Sequence, residues 1–235
     1  MIPISFELNL LAALVAGAGL ILVYHFYIGR RERRQPGFAT QGLNALARVR
    51  WVECVMLDGR KDVLAVQTLR NSVMAASIMA STAILLVIGT LNLGADGARL
   101  EQMLSAVSSH HARAQSDHAL ILLLLLADFF VAFFMFSMAI RFYNHVGYMI
   151  NLAQPDSATF PPYRVAAYLN RAGRFYSLGT RAFYMCVPLV FGLFGPVYVV
   201  LASVGLIAAL NLIDRPPPVA TAPITQALTR GERAD

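Results

Sequence analysis

Charge is scarce in this chain. Only 14% of its 235 residues are charged, against 57% hydrophobic, whereas soluble domains carry about 25% charged residues. A soluble fold of this length has no interior large enough for that apolar surface, so part of the core is expected to be built against lipid. Cysteine is also rare. Cys54 and Cys186 stand alone, outside any CxxC or Cys/His spacing, which argues against a disulfide scaffold, a zinc finger or a redox dithiol and leaves two unpaired thiols. A P-loop, a GxSxG elbow, HExxH, a dinucleotide-type glycine motif and a GYG-type filter are all missing, so no enzyme chemistry and no catalytic residue is expected. Met1 to Leu10 contains Glu7 but no cation. Without a basic n-region, the first apolar stretch is expected to remain as an uncleaved helix.

Four long apolar stretches are present, at about 8–29, 71–95, 118–141 and 182–213. Each is long enough to cross roughly 30 Å of hydrocarbon at about 1.5 Å per residue. The expected fold is an all-α integral membrane four-helix bundle over residues 1–215. A Pro-rich tail at 216–235, opened by Pro216-Pro217-Pro218, has the composition of disorder. The net charge of +6 does not point to nucleic acid, because the cations are sorted by loop rather than spread over one face. Nine Arg or Lys fall between Arg30 and Arg70 and five between Arg141 and Arg181, together fourteen of nineteen. By the positive-inside rule these loops face the cytoplasm of a bacterial inner membrane and both termini lie outside.

Within the cytoplasmic loops, apolar residues at helical spacing predict two amphipathic helices, Gln41 to Leu57 and Pro162 to Tyr176, between spans 1 and 2 and spans 3 and 4. Pro162 suits a first helical position, and Arg164, Arg171 and Arg174 are placed to face lipid phosphates. Asp62 is a candidate cap for the helix entering the second span. In the first span, Ala12, Ala16 and Gly19 form a small-residue face for close helix approach. Pro188 and Gly195-Pro196 predict a kink or discontinuity in the last span. Another amphipathic helix is expected around Leu100 to Val107 in the outward loop.

Asp128 is the acid in the middle of the third apolar stretch, where an ionisable group costs on the order of 3 kcal/mol to insert and marks either an ion path or a buried pairing. Its candidate partners are Ser77, Ser81 and Thr82 of the second span. Arg70, Ser77, Ser81 and Asn92 share one face of that span, as a hydrated path or as interhelical packing. Three histidines, His110, His111 and His118, precede the third span and are candidate metal ligands, although two turns separate His111 from His118 and further ligands are not visible. His25 and His145 sit at similar depth on different helices and are candidate axial ligands for a haem.

Several strings together resemble a family of bacterial and plant membrane proteins catalogued as a domain of unknown function. They are Tyr24-His25, the run from Arg48 to Val52, Leu64 to Asn71 with Met74, Ser81 and Thr82, the run from Arg141 to His145, and Leu178 to Tyr184 leading to Pro188 and Phe194-Gly195-Pro196. The resemblance implies a four-span architecture and supplies no activity. It gathers polar residues at the cytoplasmic boundary, namely His25, Gln67, Arg70, Asn71, Asn144, His145 and Arg181. Three functional readings follow. The first is a homo-oligomeric channel or transporter for a small ion, with the second-span stripe and Asp128 along its path. The second is an accessory subunit that docks onto other membrane subunits. The third is a haem-binding redox protein.

Overall fold

The computed structural model describes residues 4–35, 37–58, 61–97, 102, 115–152 and 160–215. The expected outward-loop helix around Leu100 to Val107, His110, His111 and the tail 216–235 lie outside the described residues. Long helices make up the fold: α1 Ile4–Arg34, α2 Thr40–Leu57, α3 Asp62–Ala95, α4 Gln115–Met149, α5 Pro162–Gly192 and α6 Pro196–Asp214. Four of them, Leu10–Arg34, Asp62–Ala95, His118–Met149 and Pro196–Asp214, are long and apolar enough to cross a membrane. The all-α architecture with four apolar spans therefore stands.

The last span differs from the expected 182–213. Residues 182–192 belong to α5, which begins at Pro162, runs through Pro188 without ending and stops at Gly192. The helix read as a short amphipathic segment over 162–176 is thus the first half of a 31-residue helix. Arg181, Pro188 and its glycines dilute the apolar signal of α5, which is why hydropathy misses its continuity. After Leu193 and Phe194, Gly195 adopts φ 154° and ψ 156°, a region open essentially to glycine, and Pro196 starts α6 with the fixed φ of a first helical residue.

Across this break the chain reverses. A Cβ at Gly192 would lie 3.3 Å from Val199, while Arg181, three turns earlier, meets Asp214 at the far end of α6. α5 and α6 are an antiparallel hairpin. α5 also lies antiparallel along α4: Val165, Ala166 and Leu169 cluster with Tyr143, Val146 and Met149 at one end, and Gly192 reaches Ile121 at the other. α1 runs parallel to α6, since Leu10 shares a cluster with Val199 and Tyr24 and Ile28 share one with Leu210. The start of α1 and the end of α6 therefore sit at opposite ends of the bundle, whereas an even number of crossings alone would place them at the same end. The difference arises at α5, a long helix outside the four that hydropathy counts.

The close-approach face of α1 is also not the expected one. Ala12 and Ala16 are exposed and Gly19 is half-buried with nothing within 4 Å of an added Cβ. Leu10, Ala13, Ile21, Tyr24 and Ile28 face inward instead, with Gly17 so close to α6 that a Cβ would fall 2.6 Å from Ser203 Oγ. α3 packs on α4 through Ala65, Leu69, Ala76, Ala80, Ala83, Val87 and Thr90, a seam of small side chains that lets two backbones come together. Asp62 lies in the first turn of α3, with Lys61 at the cap position and no side-chain cap bond. α2 docks antiparallel on the first half of α5, where Arg48 covers Gly173 and donates to Asn170 Oδ1 at 3.3 Å. Between α1 and α2, both Glu32 oxygens accept backbone N–H groups, from Gly37 at 2.8 Å and Ala39 at 2.6 Å, and Gly37 supplies the positive φ of 89° that the turn requires.

At Gly179 an added Cβ would lie 2.9 Å from the ring of Phe136, which is itself fully buried. Replacing Gly179 by Val should overpack this contact and cost about 1–3 kcal/mol. At Gly205, inside α6, where an added Cβ meets nothing within 4 Å, Ala should stabilise by about 0.5–1 kcal/mol. Thermal unfolding of the two variants in detergent separates these expectations; equal shifts would show that α5 does not seat on Phe136 as described.

Candidate functional site

The polar residues singled out from the sequence do not form one site. Gln67, Arg70, Asn71, Ser81 and Asn92 are exposed and Ser77 is half-buried, because the face of α3 that carries them points away from α4. The stripe and Asp128 therefore line no common path within one chain. Thr82 donates to Ile78 O at 2.9 Å within its own helix. Asp128 keeps one oxygen, Oδ2, buried and without a hydrogen-bond partner. Pairing with Ser77, Ser81 or Thr82 is not what makes it tolerable.

His25 and His145 occupy different places. His25 Nδ1 lies 2.8 Å from Ile21 O of its own helix, beside the edge of Tyr24, whereas His145 is exposed in a cleft between α4 and α5. Nothing among the described residues brings the two imidazoles together. His118 is buried, and among the described residues no three His, Cys, Asp or Glu side chains gather as a metal cradle. Asn144 is exposed.

Arg181 has a partner that composition could not reveal. Its Nη2 lies 3.4 Å from Asp214 Oδ2, and the same oxygen accepts the hydroxyl of Tyr24 at 3.1 Å. Asp214 is 8% exposed, so this is a largely desolvated node of three helices. The backbone carbonyls of Ile213 and Asp214, left over at the end of α6, accept the Thr40 hydroxyl at 3.3 and 3.2 Å. One residue thus ties α1, α2, α5 and α6 together. From sequence, Asp214 reads as the start of a charge-balanced tail, and no local pattern pairs it with Arg181.

His145 lies in a cleft between α4 and α5. The cleft has a volume of about 500 Å³ and is lined by Arg141, Phe142 and His145 of α4 and by Tyr168, Arg171 and Phe175 of α5, among others. Phe142 and Phe175 stack with centroids 5.5 Å apart and planes 8° apart. The Arg171 guanidinium lies over Phe142, 4.8 Å from its centroid. Arg141 and His145 are one turn apart on α4, as are Arg171 and Phe175 on α5, so each wall presents a charge and a ring on one face. That spacing is readable in the sequence, but the facing of the two walls is not. Arg48 sits deeper, between α2 and α5. Burial lowers its pKa from the ordinary arginine value, with Tyr143 acting in the other direction, and an arginine remains a cation in such a place.

Comparison with known families decides the relationship: "Protein of unknown function, DUF599" matches residues 12–218. The chain belongs to that family. Neither a curated protein nor a solved structure matches it. The match covers the described helices α1 to α6 apart from the start of α1, including the α5–α6 hairpin, the Asp214 node and the basic cleft.

The Asp214 node generates a direct test. Removing one partner of a buried ion pair costs about 3–5 kcal/mol because the other charge is left without compensation. Arg181→Met and Asp214→Leu should each lower stability strongly, and the double variant should lose clearly less than the two single losses combined. A double-mutant cycle on thermal unfolding in detergent measures this; strict additivity would mean that the two side chains are not coupled.

Proposed function

We propose that this membrane protein moves a small ion across the bilayer as an assembly of several copies, with Asp128 as the side chain that takes up and releases the ion. The observation that carries this reading is the buried Asp128 oxygen without a hydrogen-bond partner. A carboxyl group kept inside a membrane helix for structural reasons is expected to be bonded to a neighbour. One that is not bonded retains the capacity to bind a proton or cation in transit. The reading assigns no catalytic residue and requires neither haem nor a resident metal.

Assembly is supported by α3. Among the described residues its extensive partner is α4, and Ser81 and Asn92 are exposed on an apolar helix, where lipid offers no hydrogen-bond partner. A second copy covers this face in the leading reading. The alternative is an accessory role, in which the same face docks a different membrane subunit. Mild-detergent purification distinguishes the two, since a stoichiometric foreign partner favours the accessory role.

In both readings the basic end of the bundle, with Arg30, Arg31, Arg70 and Arg141, faces the cytoplasm of a bacterial inner membrane. The parallel course of α1 and α6 then puts the start of α1 outside and Asp214 inside. Single cysteines placed at Ser5, ahead of the first span, and at Arg215 in a chain lacking Cys54 and Cys186 should react with an impermeant reagent from opposite faces of the membrane. Labelling of both from the same face would contradict the hairpin.

For Asp128, the expected outcome of Asp128→Asn is loss of ion flux in proteoliposomes by at least about tenfold, a barrier change of about 1.4 kcal/mol, with an unchanged unfolding temperature. A folded variant with unaltered flux removes Asp128 from the mechanism.

A further inference from the structure

The basic cleft between α4 and α5 remains unused by the transport reading. We propose that it is a binding site for an anionic glycerophospholipid, with the phosphate held between Arg141 and Arg171 and the apolar part of the lipid continuing along the bundle surface. The inference does not depend on transport; it rests only on the membrane placement of α4.

Charge is the first argument. Arg141 and Arg171 both line the cleft, and neither forms an ion pair with a carboxylate among the described residues. Among the described residues no acid lines the cleft. There the Arg171 charge is met by ring faces, at 4.8 Å from the Phe142 centroid and 5.9 Å from that of Phe175. A guanidinium laid on a ring keeps its N–H edge free for the forked contacts that phosphate oxygens accept. His145 adds a ring that can donate to the same anion, braced at its edge by Tyr168 at 6.4 Å.

Position is the second argument. Arg141 is the first charge after the apolar run of α4, so the cleft lies where hydrocarbon gives way to head groups. Basic pockets between membrane helices at that level suit lipid head groups. Tyr148 and Tyr168, 80% and 39% exposed, flank it as interfacial tyrosines do. Phe142, Phe175 and Met138 carry the wall on as an apolar surface, which a water-soluble phosphate has no use for. The volume of about 500 Å³ falls within the roughly 300–1,000 Å³ of small-molecule sites.

Selectivity follows from what the lining lacks. A choline or ethanolamine head group brings a cation beside its phosphate, and that cation meets Arg141 and Arg171 but no carboxylate among the described lining residues. Phosphatidylglycerol, whose head group is a phosphodiester with hydroxyls, meets no such repulsion.

The test uses the full chain in mild detergent, with bound lipid read by native mass spectrometry and the unfolding temperature recorded in parallel. Added phosphatidylglycerol should bind and raise the unfolding temperature, and phosphatidylcholine should do neither. Arg141→Gln combined with Arg171→Gln should weaken phosphatidylglycerol binding by at least about tenfold, since each surface cation contributes on the order of a fivefold change. Arg50→Gln removes an exposed cation on α2 that is not part of the cleft lining, and should leave binding within about twofold. Should the double variant fail to fold, the singles Arg171→Gln and His145→Gln carry the same comparison. Three results overturn the proposal: undiminished binding in folded cleft variants, an equal loss in Arg50→Gln, and saturation by glycerol 3-phosphate at concentrations as low as those of the lipid. The last would assign the cleft to a soluble phosphate instead.

Discussion

The carboxylate of Asp214 fixes more of this fold than any other side chain. In lipid the hydrophobic effect gives helices little reason to prefer one neighbour over another, so close packing and polar contacts decide the arrangement. Asp214 accepts Tyr24 from α1 and pairs with Arg181 from α5, and its own carbonyl accepts Thr40 from the start of α2. Four helices are placed by one residue in the last turn of α6. Without it, the α5–α6 hairpin would rest on side chains such as Val199 and Leu210, which are as content against lipid tails as against each other. Together with the packing of Leu10 near Val199, the Tyr24–Asp214 contact sets α6 parallel to α1.

α5 is the element against which the rest is arranged. Three of its glycines each meet a different neighbour: Gly173 under Arg48 of α2, Gly179 under Phe136 of α4, and Gly192 beside Val199 of α6. A glycine in a helix interior costs about 0.5–1 kcal/mol relative to alanine, and here each one admits a large group from another element. The gain is a helix that three neighbours can approach closely. α3, in contrast, has one small-residue seam toward α4 and leaves its opposite face open.

How much of this was legible in the sequence differs from element to element. The four apolar spans and the α-helical class follow from long uninterrupted hydrophobic runs, which few other structures can satisfy. The start of α5 at Pro162 was also readable, from proline's fit to a first helical position. Its continuation to Gly192 was not, because its first half is amphipathic, its second half contains Arg181 and Pro188, and periodicity weakens at both. The Gly195-Pro196 pair announced a discontinuity without saying that the chain turns back there. Polar stripes misled for a different reason. Arg70, Ser77, Ser81 and Asn92 do share a face, but a helical wheel gives the angle between residues and not which side of the helix its neighbours occupy. The same ambiguity put the contact face of α1 on Ala12, Ala16 and Gly19 when Gly17 carries it. At the site level, Asp128 and His145 could be singled out one by one, whereas the Asp214 node and the two-walled cleft exist only through contacts between distant segments.

The cleft and Asp128 are far apart, and the space between them constrains any route for an ion. Thirteen residues of α4 separate Asp128 from Arg141, about 20 Å at helical rise. Between them Phe136 is fully buried, with Phe183 5.5 Å and Tyr176 5.6 Å from its centroid, and Phe129 lies near Phe183 as well. These rings fill the α4–α5 interface on the side that leads to the basic end. If Asp128 carries an ion as proposed, that ion would not pass there while Phe136 keeps its place under Gly179. A route inside one chain would therefore require the Phe136 ring, 5.5 Å from that of Phe183, to move aside. A route between copies avoids the rings, but it must reach Asp128 from the lipid-facing side of α4, where Leu123, Leu124 and Val131 are exposed. The first route makes Phe136 a gate whose removal opens the path; the second makes it a structural wedge whose removal only loosens the helices.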